Sequence, residues 1–320
     1  MATRVLPQQE EELPPKGGGL YFGKQSESVK FIKSGSKLLD LALGGGWARG
    51  RISNVVGDKA VGKTLICIEA AANFVIQEPK AKIRYREAES AFDELYAEAL
   101  GFPLSKVDFG EPIETIEDLF EDLSKVVEAA KVPELYIVDS LDALSDRSEM
   151  ERGIDEGSYG TGKAKQMSQL FRRLVRKLAE KDVTLMIISQ VRDNIGVTFG
   201  RKTTRSGGRA LDFYASQIIF LSQIEKLSKT ISNVKRITGI EIKAMVDKNK
   251  IGMPFRDAQF PIMFGYGIDD QRACLNWIKQ VALKVPEGTK LETMGDIHKI
   301  VEDEWWRIEQ GFLPKQQKYR

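Results

Sequence analysis

A chain of 320 residues has room for one large domain or two smaller ones. With 42% hydrophobic and 29% charged residues it reads as globular, and it has no run near the roughly 20 apolar residues that span a membrane, so a cytosolic location is expected. The net charge of +2 neither requires nor excludes nucleic acid, and two cysteines with one histidine cannot build a structural zinc site without carboxylates.

Residues 1–29 are polar, with Glu10–Glu12, Pro14-Pro15 and Gly17–Gly19, and read as a flexible arm. Val29–Ile32 is a short strand. Ser34-Gly35-Ser36 then caps a helix over Lys37–Leu43 that stops at Gly44. The apolar run Ile52–Val56 leads into Gly57-Asp58-Lys59-Ala60-Val61-Gly62-Lys63-Thr64, followed by a helical pattern over Leu65–Ile76. This G-x-x-x-x-G-K-T between strand and helix is a phosphate-binding loop. Its backbone N–H groups cradle phosphate, and the helix N-terminus adds positive potential. Lys63 is expected to reach the β/γ-phosphates, and the Thr64 hydroxyl to ligate Mg²⁺. Cys67 falls on the apolar side of that helix and reads as core.

Further strands are expected at 83–86, 135–138, 183–189, 218–221, 237–246 and 260–264. Helices are expected at 91–100, 115–131 and 164–181, and around 273–283 and 294–308. Residues 191–208 read as a loop rich in Arg, Thr and Gly. Alternating strands and helices imply a mainly parallel sheet covered on both faces, with ligands beyond the carboxyl ends of its strands. Asp139 closes the run 135–138 and is placed to hold Mg²⁺ through water. Glu87 and Glu89 follow the strand 83–86, and either could serve as the base that orients water. Gln190 follows the strand 183–189, where an amide can sense a γ-phosphate. The loop beyond it carries Arg192, Arg201, Lys202, Arg205 and Arg209, suited to phosphate contacts without a sequence code. His298, on a charged segment, does not suggest a Ser–His–Asp mechanism.

From about residue 33 to 268, these motifs together and in order resemble bacterial RecA and its phage relatives, the homologous-recombination ATPases. The segments that carry the likeness are Ser34–Gly44, Gly57–Thr64, Glu87–Asp93, Ile137–Leu141, Ser189–Arg192, Arg192–Ser216 and Lys248-Asn249-Lys250. The resemblance implies an α/β fold, a RecA-like P-loop NTPase core over residues 30–269, with the arm 1–29 before it and a small helical segment 270–320 after it. It implies ATP and Mg²⁺ as cofactors, Glu89 as the catalytic glutamate and Gln190 as the switch. Asp93 and Tyr96 fall where adenine is bound, and Phe264 where an aromatic from a neighbouring subunit covers it. Lys248 and Lys250 match lysines that reach the neighbour's ATP in a helical filament. Lys165, Ser168, Arg172, Arg192, Ile195, Phe199, Ser206, Gly207, Gly208 and Arg209 fall on positions that hold DNA. The partners implied are single-stranded DNA, double-stranded DNA during pairing, further copies of the chain, and single-strand-binding or loader proteins. Two alternatives stand beside strand exchange at this point: a helicase-like motor or switch, and a filament that only coats single strands. Departures are Gly160, in place of a bulky residue in the first loop, an arm without a clear polymerisation helix, and a C-terminus that matches poorly and leans towards the phage type.

Overall fold

The computed structural model of the chain describes residues 20–21, 24–25, 29–89, 92–150, 161–193, 203–205, 208–281 and 293–313. The chain opens with strands β1 (Leu20–Tyr21), β2 (Lys24–Gln25) and β3 (Phe31–Ile32), helix α1 (Lys37–Leu43) and strand β4 (Trp47–Ala48). Helix α1 starts where the Ser36 hydroxyl accepts the Leu39 N–H, and it ends at Gly44 in the left-handed region (φ 82°). Then come β5 (Ile52–Gly57), α2 (Lys63–Gln77), β6 (Lys82–Glu87), α3 (Glu94–Ala99), β7 (Val107–Asp108), α4 (Ile116–Ala129), β8 (Glu134–Asp139), α5 (Arg147–Met150) and α6 (Thr161–Lys181). The chain continues with β9 (Val183–Asp193), β10 (Thr203–Arg205), α7 (Gly208–Tyr214), β11 (Gln217–Ile231), β12 (Val234–Asn249), β13 (Asp257–Met263), β14 (Gly267–Ile268), α8 (Asp270–Gln280) and α9 (Met294–Phe312).

One sheet organises the molecule, in the order β14-β13-β12-β11-β5-β9-β8-β6-β7. From β11 to β7 the neighbours run parallel, and from β11 to β14 they are antiparallel. The central strands are continuous apolar runs because helices cover both faces. Along them alternate residues face opposite cores. Val55, Ile137 and Ile188 pack with Ile66 and Phe74 of α2 on one side. Val56, Val138 and Ile187 pack with Leu123 of α4, Phe171 of α6 and Leu211 of α7 on the other. Helices α8 and α9 join the first core through Cys274, Ile278, Ile297 and Val301. Phe74 is fully buried there, and its truncation to alanine would cost about 3–5 kcal/mol.

The buried amide of Gln217 fastens the entry segment to the sheet. It accepts from Ala48 N–H (2.9 Å) and Ser53 hydroxyl (3.2 Å), and donates to Gly46 (2.9 Å) and Leu43 (3.3 Å) carbonyls. A buried amide satisfied on both ends holds these elements without an unpaired polar group.

Three elements differ from the sequence reading. The strands expected at 218–221 and 237–246 belong to one long hairpin, β11–β12, in which the first covers only the start of β11 and the second most of β12. Beyond Leu221, β11 alternates Lys, Glu and Ser with the exposed Ile224 and Ile231, which hides a strand that packs on one side only. The loop 191–208 is partly strand, since β9 runs on to Asp193 and β10 pairs back on it, Thr204 opposite Arg192. The helix expected from 91 begins at Glu94, because the Asp93 carboxylate caps it by accepting the Tyr96 N–H at 2.9 Å.

Candidate functional site

The carboxyl edge of the parallel sheet is where the motif residues meet. The strand pairing sets Gly57 beside Gln190 and Glu87 beside Asp139. Sequence-distant residues thus come into one row, at the position where open α/β sheets bind ligands. The phosphate loop bends through left-handed backbone at Ala60 (φ 57°) and Gly62 (φ 84°). The left-handed backbone favours glycine at 62, and a side chain there would also displace the tip of Ile262, 2.5 Å away. Helix α2 starts directly after Gly62, with its free N–H groups turned to the loop.

Around this loop lies a cleft of about 500 Å³. It is lined by Lys59–Leu65 together with Glu89, Tyr96, Asp139, Gln190 and Phe264. The Lys63 ammonium donates to the Asp58 carbonyl at 2.6 Å. Burial pulls it below its ordinary range, against the opposing influence of Asp139 and Glu89. The Thr64 hydroxyl donates to Asp139 Oδ2 at 2.7 Å, and the Tyr85 hydroxyl donates to the same oxygen at 2.7 Å. Burial raises the Asp139 carboxyl, with Glu89 and Glu87 adding to it while the two hydroxyls oppose it. A concealed carboxylate beside further acids is one that gains from a bound cation. The oxygen-only donors Thr64 and Asp139 suit a hard ion such as Mg²⁺.

Glu89 is held by the Ser140 hydroxyl and by Gln190 Nε2, the latter at 3.0 Å from Oε1. The Gln190 backbone N–H donates to Asp142 Oδ2 at 2.6 Å. The candidate base and the candidate switch therefore touch directly. Glu87 is set apart from Glu89 by its role, since its Oε1 accepts the Glu89 N–H at 3.0 Å. Sequence reasoning missed Tyr85 and Ser140, the hydroxyls that orient the two acids. Ser140 directly follows Asp139, but only the β6–β8 register reveals that it faces Glu89.

The remaining candidates fall into groups. Tyr96 and Phe264 both line the cleft, so Phe264 stands at the wall of its own chain's cleft and not only where a neighbour would reach. Asp93 caps α3 and is not among the cleft's lining residues. Lys248 and Lys250 are not in the cleft either. Their ammonium groups donate to the Phe213 carbonyl at 3.1 and 2.9 Å, and Lys248 also reaches the Asp212 carbonyl. Cations on the last carbonyls of α7 satisfy its open end. Lys165, Ser168 and Arg172 lie three and four residues apart along α6, one stripe opposite the buried Met167, Leu170, Phe171 and Leu174. Lys165 and Arg172 are exposed. Of the second-loop candidates, Ile195, Phe199, Ser206 and Gly207 lie outside the described residues. Arg192, Gly208 and Arg209 are described by their backbone in β9 and α7, and their side chains lie outside the description.

A parallel sheet with a phosphate loop, a strand-end aspartate and a glutamate bridged to a glutamine of β9, beside the end of β5, defines a P-loop ATPase. A family model of the RecA N-terminal domain matches residues 8–269. Protein RecA of Synechococcus sp. (strain CC9605) is 34% identical over 282 residues, spanning 88% of this chain and 73% of that protein. Protein RecA of Nostoc punctiforme is 33% identical over 295 residues, spanning 92% of this chain and 79% of that one. The chain belongs to the RecA family. It is a RecA-type, ATP-dependent recombinase and a DNA-dependent ATPase, and the motor and passive-coat alternatives are not favoured.

Proposed function

We propose that the chain assembles on single-stranded DNA as a filament and uses this cleft to time its grip. The observation that carries the proposal is the contact between Glu89 and Gln190. It joins the group that would activate water to the strand β9 that continues into the DNA-binding segment.

The phosphates of ATP would take the place of the Asp58 carbonyl at Lys63, and the adenine would lie between Tyr96 and Phe264. When bound, Mg²⁺ supplies charge neutralisation at the β/γ-phosphates, with Thr64 and Asp139 as the side chains that would hold it. Glu89 would orient and deprotonate the attacking water. Gln190 would exchange its bond to Glu89 for one to the γ-phosphate, and so move the start of the segment 191–207. Lys248 and Lys250 would leave the α7 carbonyls for the phosphates of a neighbouring subunit. Arg172, Lys165 and Ser168, with Arg192, Ile195, Phe199, Ser206, Gly207, Gly208 and Arg209, would hold the DNA. Contacts of this kind carry no sequence code, so homology is read by base pairing with a duplex.

The test is electron microscopy of the chain with single-stranded DNA and a slowly hydrolysed ATP analogue, alongside strand exchange with homologous duplex. Stretched helical filaments and exchanged product are expected. Closed rings, or filaments that coat DNA and exchange nothing, would overturn the proposal.

A further inference from the structure

The nucleotide cleft uses neither cysteine nor the single histidine of the chain. One of those cysteines lies near the histidine instead, among residues that do not line the cleft. Asp270 and Cys274 are four residues apart on one face of α8, and His298 sits near the start of α9, which packs against it. His298 Nε2 is 2.5 Å from Asp270 Oδ2, and Cys274 Sγ is 3.8 Å from Asp270 Oδ1. One donor atom from each of the three residues lies within 4.8 Å of the others. We propose that Asp270, Cys274 and His298 form a site for a divalent transition metal of the zinc type, which ties α8 to α9.

The geometry is close to what such an ion needs. With metal–sulfur near 2.3 Å and metal–nitrogen and metal–oxygen near 2.0–2.2 Å, tetrahedral donors stand roughly 3.3–3.7 Å apart. The two hydrogen-bond spacings, 2.5 and 3.8 Å, fall on either side of that range. A thiolate, an imidazole and a carboxylate together favour zinc-like ions over magnesium or calcium, which take oxygen. The carboxylate is already oriented from behind, because Asp270 Oδ1 accepts the Lys37 N–H at 2.7 Å. Burial, with Asp270 beside it, pushes the Cys274 thiol up. Without an ion the thiol and the imidazole each bond Asp270 separately, whereas an ion between them gives all three groups one partner. Binding forms the metal–sulfur bond and releases the thiol proton to solvent. The hydrogen now between His298 Nε2 and Asp270 Oδ2 also leaves, so that the imidazole binds through Nε2 with its remaining hydrogen on Nδ1. The Asp270 side chain is 14% exposed and that of His298 35%, so solvent reaches the site from the histidine side and can supply a water as fourth ligand.

The test uses the full-length, reduced chain without nucleotide, titrated with cobalt(II) and followed by absorption. A thiolate-to-cobalt charge-transfer band saturating at one equivalent per chain is expected, displaced by zinc(II) and not by magnesium(II). The Thr64–Asp139 pair cannot produce that band, since it offers only oxygen. Cys274→Ser should abolish the band. His298→Gln, at a half-exposed position, should weaken cobalt binding at least tenfold while leaving DNA-stimulated ATP hydrolysis unchanged. Zinc(II) should raise the unfolding midpoint of the parent and not of His298→Gln. Absence of the band in the parent, its survival in Cys274→Ser, or an equal zinc shift in both proteins would overturn the site.

Discussion

Acidic side chains gather at both ends of the parallel strands, and the two ends treat them in opposite ways. At the amino end they are met by guanidinium groups. Arg49, with 6% of its side chain exposed, bridges Asp182 at 2.5 Å and Glu78 at 2.6 Å. Arg84 bonds Glu134 at 2.8 Å and also reaches Asp108, and Glu134 is only 3% exposed. At the carboxyl end Asp139 and Glu89 rest instead on hydroxyls and an amide, from Thr64, Tyr85, Ser140 and Gln190. Neutral donors fix a carboxylate's direction without cancelling its charge. One end of the sheet is therefore electrostatically closed. At the other the acids feel the Lys63 ammonium, which bonds the Asp58 carbonyl, and keep negative charge available for a cation and for a proton.

The largest effect is expected where that available charge does chemistry. Glu89→Gln keeps the size of the side chain and the bond to Gln190, and removes the proposed base. Hydrolysis of ATP should fall by about 10²–10⁴-fold while ATP-stabilised DNA binding persists. Near-parental turnover would remove Glu89 from the mechanism.

At the closed end the same kind of deletion should damage the fold and spare the chemistry. Arg84→Met leaves the buried Glu134 charge without its guanidinium, at a cost of about 3–5 kcal/mol. Adding Glu134→Leu should recover most of that loss in urea unfolding. A cost under about 1 kcal/mol, as for an exposed pair, would break the contrast between the two ends.

Asp139→Asn probes the open end from the side of stability. The folded Asp139 carboxyl titrates above its ordinary 3.8. Between that value and its raised one the native state binds more protons than the unfolded chain. Stability without nucleotide and metal therefore falls as pH rises through this window, and the loss persists above it. The asparagine variant should lack this loss, so its melting point relative to the parent should climb as the pH rises above 3.8. In the same variant, Mg²⁺-dependent nucleotide binding should weaken. A parent and variant with parallel pH profiles would show that the carboxylate is not held at a cost.

What was legible in the sequence follows from how local each feature is. The phosphate loop is written in consecutive residues, because left-handed turns at Ala60 and Gly62 and the start of α2 are short-range events. Asp139 and Gln190 were legible as the residues that close apolar runs. Tyr85 was not, because its meaning lies in a strand neighbour 54 positions away. The hairpin's full length was hidden for a related reason. Its tip, Ser232-Asn233, makes a two-residue turn with both residues left-handed (φ 49° and 64°), without the glycine that usually signals it. The convergence of Asp270, Cys274 and His298 was likewise out of reach, since helix packing sets it.

The smallest effect separates two adjacent arginines on α6. Arg172 is exposed in line with Lys165 and Ser168, and its Nε is 3.5 Å from the Tyr214 hydroxyl. Arg173, one residue on, points around the helix to lie over the Phe120 ring at 5.7 Å. If the stripe carries the DNA backbone, Arg172→Ala removes one phosphate contact. The slope of log K against log salt for single-stranded DNA should then shrink by about 0.7–1, with affinity lowered evenly across sequences. Arg173→Ala should leave the slope as it is, because its charge is spent on the aromatic ring and not on phosphate. Equal slopes in both variants would move the DNA off this face of α6. The open carboxyl edge would then have to signal through the segment after β9 alone.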